Sequence, residues 1–496
     1  MSRFIDFSII QLALSHSGIE NHDHALILSL HIWLVLIVGI ELGKATTRST
    51  IWKLSPPILF VLSFIILIAT GSSLLMLPEM TVSKQGMHFR DALFTSISAN
   101  CVTGLIVVDT TTYFSLKGQI LILLLIQLGG LNIIAFATYF MSFFQKRITE
   151  PRHQTAIREL LHTDNLGNAR NMIGTVILTA LVIESIGAII LYQQWGTDIG
   201  NKSDRLFYSV FHSVSAFNNA GFTLYTDGFL NSNTSSNYSL HITVAFLIVF
   251  GGLGFTTLLE IFRLGNTSKL FKSKVIRLSV QSRIATYSSI ILIALGTVLF
   301  FITERNNTMA QLSTSERLIT SFFQSVTART AGFNTADFGK ATTITLLSTM
   351  LLMFIGACSG STGGGIKTST TSVLLIALFK RKKKKDNYGK SFLTIVLVRK
   401  AMVILLSSIA VILIGTFILT LVEPDKGVSE LFFEEISAFS TVGLSTGITP
   451  SLSSSGKSVL MCSMFLGRLG PLALSYTLVS SLNVIETKQE GNILLG

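Results

Sequence analysis

The chain reads as an all-α membrane protein made of four tandem repeats. Each repeat is a spanning helix, a re-entrant half-helix with an extended run, and a second spanning helix. Three observations predict this: a charge-poor composition, four matched short motifs at even spacing, and apolar stretches separated by three basic loops. Of 496 residues, 49% are hydrophobic and 13% charged. Soluble chains carry roughly 25% charged residues, so half that charge cannot cover a globule of this size, and disorder is excluded by the same apolar balance.

Spanning the hydrocarbon takes about 20 mostly apolar residues. Nine stretches qualify: 25–43, 57–78, 118–144, 171–194, 240–262, 285–303, 343–379 (interrupted), 397–422 and 456–482 (interrupted). The net charge is +12, and 20 of the 38 Lys and Arg fall in 145–170, 263–283 and 380–400. Those loops alternate with loops of low positive charge, which places them on the cytoplasmic side. The run from Arg381 to Lys385 directly follows an apolar segment. Anionic membrane lipids or an acidic partner suit it better than nucleic acid. The stretch 25–43 contains His31, Trp33 and Glu41, and the side on which the N-terminus lies stays open. Cys101, Cys358 and Cys462 sit in apolar surroundings, with no disulfide framework and no CxxC pair. No secretory signal is evident.

The connections between these stretches carry the repeat. Residues 92–105, 208–222, 320–333 and 431–444 each hold a segment too short to span, then a small polar run ending at Gly104, Gly221, Gly332 or Gly443. Each has Ser or Thr about seven positions before the glycine and Phe or Leu just after it. The glycines are 117, 111 and 111 residues apart, and such regularity marks tandem units of one architecture. Non-helical backbone at membrane depth is tolerated only when buried in protein or lining a cavity. Four such runs about one axis can turn carbonyls inward and replace the hydration shell of a monovalent cation. Glycine permits the backbone angles this needs. The half-helices end at the runs, so their negative dipole ends face the cation.

These motifs resemble the Trk/Ktr/HKT superfamily of potassium transporters, over about residues 57–482. The runs Val102-Thr103-Gly104, Asn219-Ala220-Gly221, Thr330-Ala331-Gly332 and Thr441-Val442-Gly443 look like that family's selectivity filter, and residues 467–474 look most like a KtrB-like membrane subunit. The resemblance implies four helix–pore-loop–helix repeats around one central pore. The expected units are an extension, 1–53, with one apolar helix, and repeats at 54–150, 151–270, 271–392 and 393–496. Family members selective for K⁺ keep glycine at all four filter positions, as here. The resemblance also implies a homodimer in the bacterial plasma membrane and a cytosolic nucleotide-binding, KtrA-like regulatory ring. This chain binds no nucleotide of its own, having no GxGxxG fold. Potassium is the expected ion, with sodium as a possible second and symport a family property. No catalytic residues are expected, and no metal other than potassium.

Two anomalies mark a gate. Residues 356–368 break the second helix of the third repeat, because this glycine- and serine-rich run cannot stay helical. It misses the phosphate-loop pattern at Ile366 and the GxSG protease pattern at Ala357. The physical reading is a flexible intramembrane loop, Gly360, Ser361, Thr362, Gly363, Gly364, Gly365 and Lys367. Lys367 either joins that loop or snorkels to the interface. Arg468 lies mid-span between Gly467 and Gly470, with Pro471 expected to kink the fourth repeat's second helix. Arg468 either pairs with Glu184 or presents a positive charge to the pore, as the family implies. His212 reads as a packing residue. The different-class alternative, a proton- or sodium-coupled solute carrier, needs acidic residues in paired broken helices; only Glu184 qualifies by sequence.

Overall fold

The computed structural model describes residues 56–144, 169–195, 199–265, 278–379 and 395–482. The chain divides into Met1–Leu59 and Phe60–Gly496. The first unit, with the expected apolar helix at 25–43, lies almost wholly outside the described residues, as does most of each basic loop.

Apolar content and caps set the helices in order. Apart from the four-residue helices Thr110–Tyr113 and Ser232–Ser235, they are α1 Pro56–Leu75, α2 Phe89–Asn100, α3 Leu116–Phe144, α4 Ala169–Gln194, α5 Lys202–Phe217, α6 Tyr238–Leu253, α7 Phe255–Gly265, α8 Val280–Glu304, α9 Thr314–Thr327, α10 Thr343–Phe354, α11 Thr368–Phe379, α12 Ile395–Val422, α13 Val428–Phe439 and α14 Ser454–Leu482. Paired prolines open α1, where their fixed φ and missing N–H are harmless. Asn201 caps α5, and Ser313 with Glu316 forms a capping box on α9.

The order long helix, short helix, extended run, second helix recurs four times along these elements. Gly174–Gln194, Val280–Glu304 and Leu397–Val422 are each long and apolar enough to cross a bilayer, and α6 with α7 makes a fourth such span, bent by 107°. Val61–Leu75, Leu116–Leu131, Thr343–Phe354 and Thr368–Phe379 are shorter apolar stretches. The third repeat's second helix breaks between α10 and α11, as its glycines dictate. Helix α14 continues without a break through Pro471; the other interrupted second helix is the second repeat's, at Gly254.

Packing runs in a cycle. Each second helix lies against the next repeat's short helix: α3 on α5, α6 on α9, α10 on α13, and α14 back on α2. Long apolar side chains on the outer faces of α4, α8 and α12 are exposed, among them Leu178, Ile290 and Leu413. That is the pattern of helices whose solvent is lipid. The interior is dense with buried Phe, including Phe94, Phe217, Phe323 and Phe433. Phe229 stacks on Phe333 at 5.4 Å, tying the connections after α5 and α9 together.

Candidate functional site: a ring of four glycine turns

The short helices end at four turns of matching geometry. In each, the residue two before the glycine has positive φ: Val102 (57°), Asn219 (60°), Thr330 (77°) and Thr441 (49°). The glycines follow at 90°, 71°, 77° and 91°. Positive φ in β-branched residues is costly and survives only where surroundings over-determine it. Here positive φ recurs in all four runs, in three of them at a β-branched residue (Val102, Thr330 and Thr441).

The four glycines meet one another. A Cβ on Gly104 would land on the Ala220 carbonyl, one on Gly221 would lie 2.7 Å from the Ala331 carbonyl, one on Gly332 would land on that of Val442, and one on Gly443 on that of Thr103. The sequence of contacts closes on itself, each glycine against the carbonyl preceding the next repeat's glycine. No side chain fits between backbones packed in this way.

Hydroxyls hold the turns. Ser98 Oγ donates to Leu105 O at 2.7 Å and accepts from Gly104 N at 3.1 Å. Ser215 Oγ donates to Phe222 O at 2.8 Å, and Ser437 Oγ accepts from Gly443 N at 3.1 Å. These serines stand six positions before the glycine, not seven. In the same three repeats the amide just before the glycine bonds the carbonyl five residues back: Thr103 to Ser98, Ala220 to Ser215, Val442 to Ser437. The third repeat is one residue shorter there, because Ala331 N bonds Thr327 O, four residues back.

Two further registers were not visible in the sequence. Ser96, Ser213 and Ser325 donate to backbone carbonyls of the preceding long helix (Ile68, Glu184 and Ile293) at 2.8, 2.6 and 2.7 Å. In the fourth repeat Glu435 takes that place, against Gly415 and accepting from Ser463 Oγ at 2.5 Å. One residue earlier, in the last three repeats, a polar side chain ties the segment that follows the glycine. His212 Nε2 accepts from Leu224 N at 3.3 Å, Gln324 lies 3.0 Å from Thr335 Oγ1, and Glu434 accepts from Ser445, Thr446 and Thr449 at 2.6–3.2 Å. His212 also bonds Tyr208 O at 2.7 Å and packs against Trp195 and Tyr225, so it is a packing residue as expected. Glu184 is therefore not the sole buried intramembrane acid, since Glu434 and Glu435 are fully buried as well. A polar pattern on a twelve-residue helix had hidden them.

The loop between α10 and α11 lies against the ring. A Cβ on Gly363 would strike Thr330 Oγ1, and one on Gly364 would strike Thr441 Oγ1. Three cationic side chains grip the loop's carbonyls. Arg468 Nη1 donates to Thr362 O, with Nη2 donating to Gly129 O at 3.3 Å. Lys367 Nζ donates to Gly363 O at 2.5 Å, which takes the first of its two expected placements. Arg329 Nη2 lies 3.5 Å from Gly356 O. The pairing of Arg468 with Glu184 is overturned. Glu184 instead accepts from Gln127 Nε2 at 3.1 Å and Asn218 Nδ2 at 3.0 Å, joining α3, α4 and the end of α5. The broken helix offered Arg468 the Thr362 carbonyl, which has no intrahelical donor, and the second contact is to Gly129 O on the unbroken α3. Ser361 Oγ turns back onto Cys358 O at 2.6 Å, and Gly360 and Gly365 supply the loop's two positive-φ turns, at 74° and 69°.

Apolar spans enclosing a ring of re-entrant turns define a multi-pass membrane protein. The family model described as "TrkH: Cation transport protein" matches residues 32–484. The chain belongs to this family of cation transport proteins. It is 38% identical over 444 residues to "Ktr system potassium uptake protein B" of Vibrio alginolyticus, covering 89% of this chain and 95% of that one. To the Bacillus subtilis (strain 168) protein of the same name it is 35% identical, over 86% and 93%. To "Potassium/sodium uptake protein NtpJ" of Enterococcus hirae it is 35% identical, over 90% and 98%. The fold matches the crystal structure of the potassium transporter TrkH from Vibrio parahaemolyticus with a TM-score of 0.71 at 17% identity, covering 95% of both chains.

Proposed function

We propose that this chain takes up K⁺ across a bacterial plasma membrane through one pore, which its four repeats surround. The observation that carries the reading is the closed cycle of Gly104, Gly221, Gly332 and Gly443, each against its neighbour's carbonyl. Four backbone runs so close share one axis, and their carbonyls supply the oxygens that replace ion hydration. Val102, Thr103, Asn219, Ala220, Thr330, Ala331, Thr441 and Val442 complete the ion-binding runs. Thr103 Oγ1 and Thr441 Oγ1 are buried with no hydrogen-bond partner among the described residues, which leaves them for the ion. The short helices end at the runs, so their carbonyl ends add negative potential. The membrane potential drives entry, worth about 2.3 kcal/mol per charge per 100 mV.

The loop Gly360–Lys367 with Arg468 forms the gate. Arg468 places a positive charge beside the ion's route, raising the barrier while the loop is up. The relatives' names support K⁺ as the ion and, through "potassium/sodium uptake", Na⁺ as a second. The words "Ktr system" support a partner subunit, which we assign as a cytosolic nucleotide-binding KtrA-like ring on a homodimer.

Liposomes containing the purified chain, given K⁺, Rb⁺ or Na⁺ as sole permeant ion, test the proposal. The expected order of flux is K⁺ and Rb⁺ well above Na⁺. Flux that requires a proton gradient and a non-ionic solute would instead establish the solute carrier.

A further inference from the structure

The second helices of the first and fourth repeats, α3 and α14, each run 29 residues unbroken. The second repeat's stops at Leu253, turns at Gly254 (φ 87°, ψ 141°), and resumes as α7 at 107° to its former course. The loop fills that corner. Cys358 N donates to Gly252 O at 3.0 Å and Thr362 N to Gly251 O at 3.4 Å. Thr362 Oγ1 donates to Gly251 O at 3.2 Å and Phe217 O at 3.3 Å. In return, Phe255 N donates to Gly360 O at 3.1 Å. A Cβ on Gly254 would come within 2.7 Å of Ser359 O.

The last carbonyls of a helix and its first amides have no partners within it. Gly251 and Gly252 hold such carbonyls at the end of α6, and Phe255 holds such an amide at the start of α7. The loop satisfies both sets at once. The break in the second repeat therefore needs the loop in place, and the loop in turn is held by the break.

We propose that Gly254 and Phe255 are positioning residues of the gate: through this corner, α7 holds the loop across the pathway, and tilting α7 releases it. The inference rests on the gate reading above. It differs from it in assigning the hold to the second repeat, from which no gate residue was expected.

Phe255→Pro tests the corner. Proline is tolerated at the first helical position and removes only the amide proton there. The extended ψ of Gly254 suits a following proline. Basal Rb⁺ flux in liposomes, without any regulator, is expected to rise about fivefold, the scale of one hydrogen bond. The Rb⁺/Na⁺ flux ratio should stay at the wild-type value, which a merely loosened protein would not keep. Phe255→Leu, which keeps the amide and loses the ring's edge contact with Phe217, should give less than a third of that rise. Thr362→Val reads the same corner from the loop side and stands in if the proline variant does not fold; a comparable rise at unchanged ratio is expected. Wild-type flux in both Phe255→Pro and Thr362→Val overturns the corner alone, as does a rise that abolishes the ion preference. A wild-type chain passing no Rb⁺ or K⁺ under any condition overturns the pore reading, and the corner with it.

Discussion

Replacing Gly221 by Ala perturbs one quarter of the ring in a defined way. The new methyl would sit 2.7 Å from the Ala331 carbonyl, whereas ordinary contact is about 3.4 Å or more. The carbonyl or the Gly221 backbone must therefore give by roughly half an ångström or more. The backbone cannot give easily, because φ at Gly221 is 71° and a Cβ there adds roughly 1–2 kcal/mol. Strain of this size, falling on the arrangement that fits the larger ion, is worth about a tenfold change in preference. We expect Gly221→Ala to fold and to lower the K⁺/Na⁺ flux ratio about tenfold in liposomes. Gly174→Ala, on a helix with open space around it, should leave the ratio unchanged. A correctly assembled Gly221→Ala protein with the wild-type ratio would refute the placement of these carbonyls against the ion.

Three other expectations are independent. Arg468→Ala removes the donor to Thr362 O and Gly129 O, and basal K⁺ flux should rise at least tenfold, read by the same liposome assay. Glu184→Ala leaves the Gln127 amide without its acceptor, a buried donor costing about 1–3 kcal/mol, while Asn218 Nδ2 keeps Gln127 Oε1 and Val214 O; a lowered unfolding temperature in detergent should report it, with flux per folded protein little changed. Ser215→Ala removes the bond to Phe222 O and should lower the K⁺/Na⁺ ratio severalfold.

The ring was legible in the sequence for a physical reason. Positive φ together with backbone-to-backbone contact excludes every residue but glycine, so the requirement prints directly at positions 104, 221, 332 and 443. The broken third helix was legible too, since its glycines cluster in an otherwise apolar stretch. The shortened third turn was not. Ser321, Ser325 and Thr327 crowd that half-helix and Thr330 its turn, and composition does not say which hydroxyl serves as the anchor. The bend at Gly254 hid for a related reason. Gly251, Gly252 and Gly254 read like the small-residue packing of Gly129 and Gly130, around which α3 runs unbroken; only the loop that fills the corner distinguishes them. The partners of Arg468 were missed because opposite charges suggest pairing, while backbone carbonyls such as those of Thr362 and Gly129 leave no trace in a residue list.

Glu435 stands where the other three quarters have serine. A channel assembled from identical subunits has no such freedom, for any exchange in its gene appears at every corner simultaneously. Here one polypeptide encodes each corner separately, so a change tolerable once but ruinous in quadruplicate can persist, and the quarters are free to drift toward unlike tasks.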